Sequence, residues 1–239
     1  MIRSKLLFIF FFALTLNTLA QYRDAGMWAS FSANVDYKKR WEFSISPEMR
    51  LNENYSRVAR LFADVGAQYK FSKQFFVTAT YRGGARNAGD GFESRQRFQV
   101  GLGLRHKWND FTITYQPRFQ VSLEPHSSES DADFATTMRN KLQVKYEASK
   151  KMEYSTSFEL FSNTAQYQQF VLQNWRWIAE AERRINKRNS VSLGYLIQKS
   201  LLDSPQELDY VLLLSYQVNL TTGKNKKKKQ DEDLPEEIK

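Results

Sequence analysis

The chain has 239 residues, a formal charge of +9, no cysteine and a mean hydropathy of −0.60. That length suits one barrel-sized domain, and the missing cysteines exclude disulfides and thiolate metal sites. The basic balance does not point to nucleic acid, because the charges are spread along the chain and an export signal precedes them.

Arg3 and Lys5 stand before an apolar run, Leu6 to Leu16, and Asn17-Thr18-Leu19-Ala20 offers a small-residue cleavage site before Gln21. This is the layout of a secretory signal peptide over residues 1–20, and the run is shorter than the roughly 20 residues of a spanning helix. No later apolar run approaches that length, so a mature chain that spans a membrane must do so as a closed barrel, which leaves no backbone group unpaired in lipid. The aromatic share, 15%, is high for an ordinary soluble chain and suits aromatic girdles at two membrane interfaces.

The rest of the chain alternates with a period of two, which places successive side chains on opposite faces of a strand. A first strand from about Met27 to Tyr37 does so weakly, with Phe31, Ala33, Val35 and Tyr37 on one side. After a basic turn at Lys38-Lys39-Arg40, Trp41, Phe43, Ile45 and Met49 oppose Glu42, Ser44, Glu48 and Arg50. Beyond the loop Asn52 to Arg57, Ala59, Leu61, Ala63, Val65, Ala67 and Tyr69 oppose Arg60, Phe62, Asp64, Gly66 and Gln68. Phe75, Val77, Ala79 and Tyr81 then face away from Phe76, Thr78, Thr80 and Arg82. The clearest hairpin runs from Glu93 to Glu124. Phe98, Val100, Leu102 and Leu104 oppose Arg95, Arg97, Gln99, Gly101, Gly103 and Arg105; Phe111, Ile113, Tyr115, Phe119, Val121 and Leu123 oppose Thr112, Thr114, Gln116, Arg118, Gln120 and Ser122.

A polar, acidic segment from Pro125 to Asp133 follows, and then Met138, Leu142, Val144 and Tyr146 oppose Arg139, Lys141, Gln143, Lys145 and Glu147. Tyr154, Thr156, Phe158 and Leu160 stand against Glu153, Ser155, Ser157 and Glu159. Val171, Trp175, Trp177, Ala179 and Ala181 stand against Asn174, Arg176, Glu180, Glu182 and Arg184. Val191, Leu193, Tyr195 and Ile197 carry the next strand, and Tyr210, Leu212, Leu214, Tyr216 and Val218 the last. From residue 221 the chain is a charged tail, lysines and then acids, of the composition of disordered segments.

The expected fold is an all-β, antiparallel up-and-down transmembrane barrel of about 10–12 strands over residues 21–220. The alternation counts about eleven where bacterial single-chain barrels use an even number, so either the weak first strand is outside the wall, two strands are merged, or the first and last strands close in the rarer parallel way. Short basic turns (Lys38, Lys39, Lys73, Lys107, Lys150, Lys151, Lys187, Arg188) alternate with longer loops that lean acidic (Asp90, Glu129, Asp131, Asp133, Asp203, Glu207), so the two ends differ in length and charge. The polar faces define an interior charge network: Glu42, Glu48, Arg50, Arg60, Asp64, Arg82, Arg95, Arg97, Arg118, Arg139, Lys141, Glu153, Glu159, Arg176, Glu180, Glu182 and Arg184. Buried charges must be paired or hydrated, and the planar guanidinium suits bidentate pairing with carboxylates. Two readings of that interior stand open: a self-neutralised, filled lumen, and a narrow, porin-like pore or anion-binding cavity.

Little in the chain points to catalysis. His106 lies near a short turn on an outward register. His126, in Pro125-His126-Ser127-Ser128-Glu129, is spaced like the His-x-Ser pair of outer-membrane phospholipases but sits in a loop, and a catalytic triad needs held geometry. Glu129, Asp131 and Asp133 offer oxygen ligands of the kind calcium takes, or a solvated loop. Gly101 and Gly103 form no phosphate loop, because no helix follows, and are read as relieving crowding.

Four short elements carry a resemblance: Gly26-Met27-Trp28, a strand ending in Arg50, Tyr115-Gln116-Pro117-Arg118, and Arg139 to Tyr146. With them the chain resembles a domain-of-unknown-function family (number 2490) of outer-membrane β-barrels of Bacteroidetes-type, Gram-negative bacteria. The resemblance implies an outer-membrane location and assigns no reaction. One departure is that Tyr216 is followed by Leu220 and a charged tail where a terminal aromatic is usual. The expected protein is non-catalytic, with a structural, binding or minor transport role and no cofactor. Its expected partners are outer-membrane lipid and the outer-membrane assembly machinery. The rival is a soluble, lipocalin-like barrel turned inside out, with Trp175, Trp177, Tyr195 and Tyr216 lining a ligand cavity.

Overall fold

Residues 25–38, 40–124, 133–163, 171–202 and 208–221 are described in the computed structural model of the chain. The proposed signal peptide, His126 with the acidic segment around it, and the charged tail beyond Thr221 lie outside them. The alternation read from the sequence becomes strand after strand: β1 (Ala25–Tyr37), β2 (Trp41–Asn52), β3 (Arg57–Lys70), β4 (Phe75–Asn87), β5 (Phe92–Trp108), β6 (Phe111–Glu124), β7 (Asp133–Glu147), β8 (Met152–Asn163), β9 (Val171–Arg184), β10 (Asn189–Ser200) and β11 (Leu208–Thr221). Each strand pairs with its predecessor in antiparallel fashion, and β1 closes the sheet against β11.

The barrel has eleven strands, the number that the alternation counts and within the expected range. In a meander of odd number the first and last strands run the same way, so closure must be parallel. It is, from Ala25 opposite Tyr210 to Asp36 opposite Thr221. The weakly alternating first strand is part of the wall. One consequence is directional: β1 starts at the end that carries the longer connections, and β11 finishes at the end that carries the short turns.

Away from two bulges the face assignments follow parity. Along β2 the residues alternate between exposed and half-buried without a break until Arg50, with Phe43, Ile45 and Met49 outside and Glu42, Glu48 and Arg50 inside. Val65, Leu104 and Leu193 are 53–54% exposed on the outer wall, whereas Glu159 and Arg139 are 4% and 8% exposed in the interior. The apolar side chains thus face outward and the charged ones inward. Tyr195 and Tyr216 are exposed on the outer surface, and Trp175 stacks there on exposed Phe158 at 5.9 Å. Two bulges shift the register. Ala59 is skipped between Arg60 opposite Arg50 and Val58 opposite Leu51, and Gln173 between Asn174 opposite Phe161 and Leu172 opposite Ser162. The second corrects the sequence reading of β9: exposed Leu172, not Val171, shares the outer face with Trp175.

The few apolar side chains buried in the interior are Phe76, Phe161, Leu196 and Val211. Phe76 needs the glycine across from it. Gly103 is its partner in register, and a Cβ at Gly103 would collide with the Phe76 ring. Gly103→Val is expected to destabilise the barrel by about 1–3 kcal/mol through overpacking, with most of the loss recovered on adding Phe76→Ala; urea unfolding of the two variants in lipid vesicles checks both.

Candidate functional site

The inward register collects guanidinium groups from most of the wall, and the nearest carboxylates divide them into zones. At mid-barrel Glu159 of β8 is a hub. Arg139 of β7 donates to both its oxygens at 3.0 Å, Arg118 of β6 donates at 2.7 Å, and Arg176 of β9 lies 3.9 Å away. Arg139 spends its remaining donors on Gln99 and Gln120, each at 3.2 Å, and Arg176 on Gln198 at 2.6 and 3.0 Å. Lys141 faces Glu159 directly across the β7–β8 ladder. On the opposite wall Arg82 grips Asp64 with two bonds of 2.6 Å, and Arg50 donates to Glu48 at 2.6 Å.

Aromatic rings join these two walls. Arg82 lies over Phe62 at 3.6 Å, and Phe62 also faces Arg50 at 4.8 Å. Arg50 lies over Trp28 at 3.5 Å, Trp28 faces Arg176 at 5.1 Å, and Phe161 sits between Arg176 (4.9 Å) and Arg139 (4.7 Å). Cations and rings thus alternate from β4 across the interior to β7, each ring face supplying negative potential to the guanidinium above it.

Three of the four short motifs each place one residue in this stack (Trp28, Arg50 and Arg139), and the fourth joins through Arg118. Trp28 rests on Arg50, its partner in register, while Arg118 and Arg139 share Glu159. A family model described as "Protein of unknown function (DUF2490)" matches residues 25–208. The chain belongs to the DUF2490 family. The match takes in β1 to β10 and reaches the first residue of β11; no curated protein matches the chain.

Toward the short-turn end of the DUF2490 barrel the charges are rim pairs. Glu153 accepts from Lys145 at 2.7 Å and Arg184 at 3.5 Å, and Glu42 meets Lys70 at 2.8 Å and Gln68 at 3.3 Å. Glu180 accepts a short bond from Ser192, and Glu182 lines an open vestibule of about 680 Å³ with Lys150, Lys151 and Lys187. Toward the long-loop end, Arg95 pairs with Glu93 at 3.2 Å, while Arg60 and Arg97 have no carboxylate within salt-bridge distance among the described residues.

Sequence reasoning missed several members of this interior. Arg86, Glu93 and Lys70 were not assigned to it, nor were Trp28 and Phe161, although all fall on the inward parity. Phe62 and Phe76 were placed on that face without a role. Strand parity is the signal in the sequence that marks each of them, rings as well as charges. Among the described residues no group of three or more histidine, cysteine or acidic side chains is gathered closely enough to hold a metal ion. His106 is exposed on the outer face opposite Ile113.

Proposed function

We propose that this DUF2490 protein is an integral outer-membrane β-barrel with a non-catalytic structural or binding role, its lumen occupied by arginine–carboxylate pairs. One observation carries the reading. All round the closed wall the apolar side chains point outward, as Phe31, Ile45, Val65, Val100, Ile113, Leu142, Phe158, Leu193 and Leu214 do. Soluble monomers rarely expose a contiguous apolar surface beyond a few hundred Å², and lipid is the solvent that accepts such a wall.

An aromatic belt at the short-turn end supports it. Trp41 meets Tyr69 at 4.8 Å, Tyr69 meets Phe71 at 4.8 Å and Phe71 meets Phe75 at 5.3 Å; further round, Phe111 stacks on Tyr146 at 4.8 Å beside Trp108. Rings of this kind sit at the headgroup level of membrane barrels. We read the short turns as periplasmic, which puts the end of β11 on the periplasmic side and the start of β1 on the outer side. A non-catalytic role agrees with an interior built on arginine, which stays protonated near neutral pH and so makes a poor general acid or base.

Cell fractionation tests the location. The protein should stay with outer membranes through high-salt and alkaline washes, leave only in detergent, and show tryptophan fluorescence quenched by a lipid-soluble quencher. Recovery in the soluble fraction, with its tryptophans shielded from that quencher, would overturn the reading. In planar bilayers the cation–aromatic stack should hold conductance well below that of an open porin.

A further inference from the structure

The geometry points to an anion-binding site inside the long-loop mouth, for a ligand presenting a phosphate or similar oxyanion. It requires only the closed barrel, so it stands or falls separately from the membrane location. Arg60 of β3 and Arg86 of β4 are direct partners in register, and two inward positions deeper Arg82 of β4 is the partner of Arg97 of β5. Like charges placed directly opposite across a ladder repel, and here they surround a cavity of about 90 Å³. At mid-barrel the same crowding is compensated, because Arg118 and Arg139, also direct partners, converge on Glu159. At this mouth the described carboxylates are held by other arginines: Glu93, which faces Arg86 across the β4–β5 ladder, pairs with Arg95 at 3.2 Å. Asp64 is held in two bonds by Arg82, and Glu53 is held by Arg57 at 2.8 Å.

Among the described residues no carboxylate lies within salt-bridge distance of Arg60, Arg86 or Arg97, and Arg97 Nε is buried with no hydrogen-bond partner. A buried donor without an acceptor is costly, and an oxyanion at the cavity floor supplies the acceptor. Arg60 and Arg86 are exposed at the entrance, where they attract anions from solution. The rim is held in place: Arg57 donates to Asn87 at 2.9 Å, and Asn87 donates to the Val58 carbonyl at 3.0 Å, tying β3 to β4. Gly84 brings the two strands together beside the site, since a Cβ there would strike Phe62 and the Leu61 carbonyl.

The test uses the full chain refolded in phosphate-free amine-oxide micelles, titrated calorimetrically at constant ionic strength. One arm adds inorganic phosphate against a chloride reference, and the other adds monomeric dihexanoyl phosphatidic acid. Saturable binding of inorganic phosphate assigns a soluble ligand, and saturable binding of the lipid phosphate alone assigns a headgroup. Arg97→Gln and Arg86→Gln, each verified as folded by circular dichroism, should weaken binding roughly tenfold or more. Arg97→Gln without ligand should melt higher than the wild type, because a repulsive neighbour is gone. Lys187→Gln, at the opposite mouth, should bind as the wild type does. No saturable binding in either arm, unchanged affinity in both arginine variants, or an equal loss in Lys187→Gln would each overturn the site.

Discussion

Glu159→Ala is expected to destabilise the barrel by about 3–5 kcal/mol, the cost of leaving buried charges without their partner. Arg118, Arg139 and Arg176 come from three different strands, and this one carboxylate, itself almost fully buried, is the acceptor they share. Its removal leaves mutual repulsion between guanidiniums that the flanking rings only partly offset, since a cation–π contact is worth about 0.5–2 kcal/mol. Glu159→Gln, which keeps the shape and one acceptor oxygen, should lose less. Joining Glu159→Leu with Arg139→Met should recover a large part of the loss, because replacing both members of a buried pair by apolar groups of similar volume is often neutral. Urea titration of the protein in lipid vesicles, followed by tryptophan fluorescence, gives all three values. A loss from Glu159→Ala below about 1 kcal/mol, the range of solvent-screened pairs, would mean that water already carries these charges.

An arginine placed on the outer wall should report depth. Val100, midway along β5, faces outward at the centre of the barrel, and Trp108 closes the same strand at the short-turn end within the aromatic belt. If that wall faces lipid, Val100→Arg should cost about 2–4 kcal/mol in a bilayer and Trp108→Arg about 0–1 kcal/mol. The same pair in a water-exposed wall would show no dependence on position, and equal small losses would falsify the membrane reading. The comparison is internal to one strand, so differences in refolding efficiency between preparations do not decide it.

The interior charge network shows where parity reasoning worked and where it stopped. Arg50, Arg82, Arg118, Arg139, Glu159 and Arg176 could each be placed on the polar side of a strand from their neighbours alone. Their pairing could not. Arg139 meets Glu159 on the adjacent strand, but Arg118 reaches the same carboxylate from two strands away. Trp28, in a strand whose alternation is weak, links Arg50 of β2 to Arg176 of β9 only because β1 and β11 close the sheet. The misplacement of Val171 has the same root: a bulge at Gln173 inverts parity locally, and nothing in that stretch marks it.

The side of the wall that each residue takes was legible in the linear chain, because it depends on an alternation two residues long that no distant contact alters. The positions of most turns, the two unlike ends and the barrel class follow from the same short-range rule. Closure did not. The choice of a parallel seam, the partners of each arginine, the stack of rings and guanidiniums, and the gathering of arginines at the long-loop mouth all depend on register between strands far apart in sequence. That register is set when the whole sheet closes, at the point where every backbone group must find a neighbour at once.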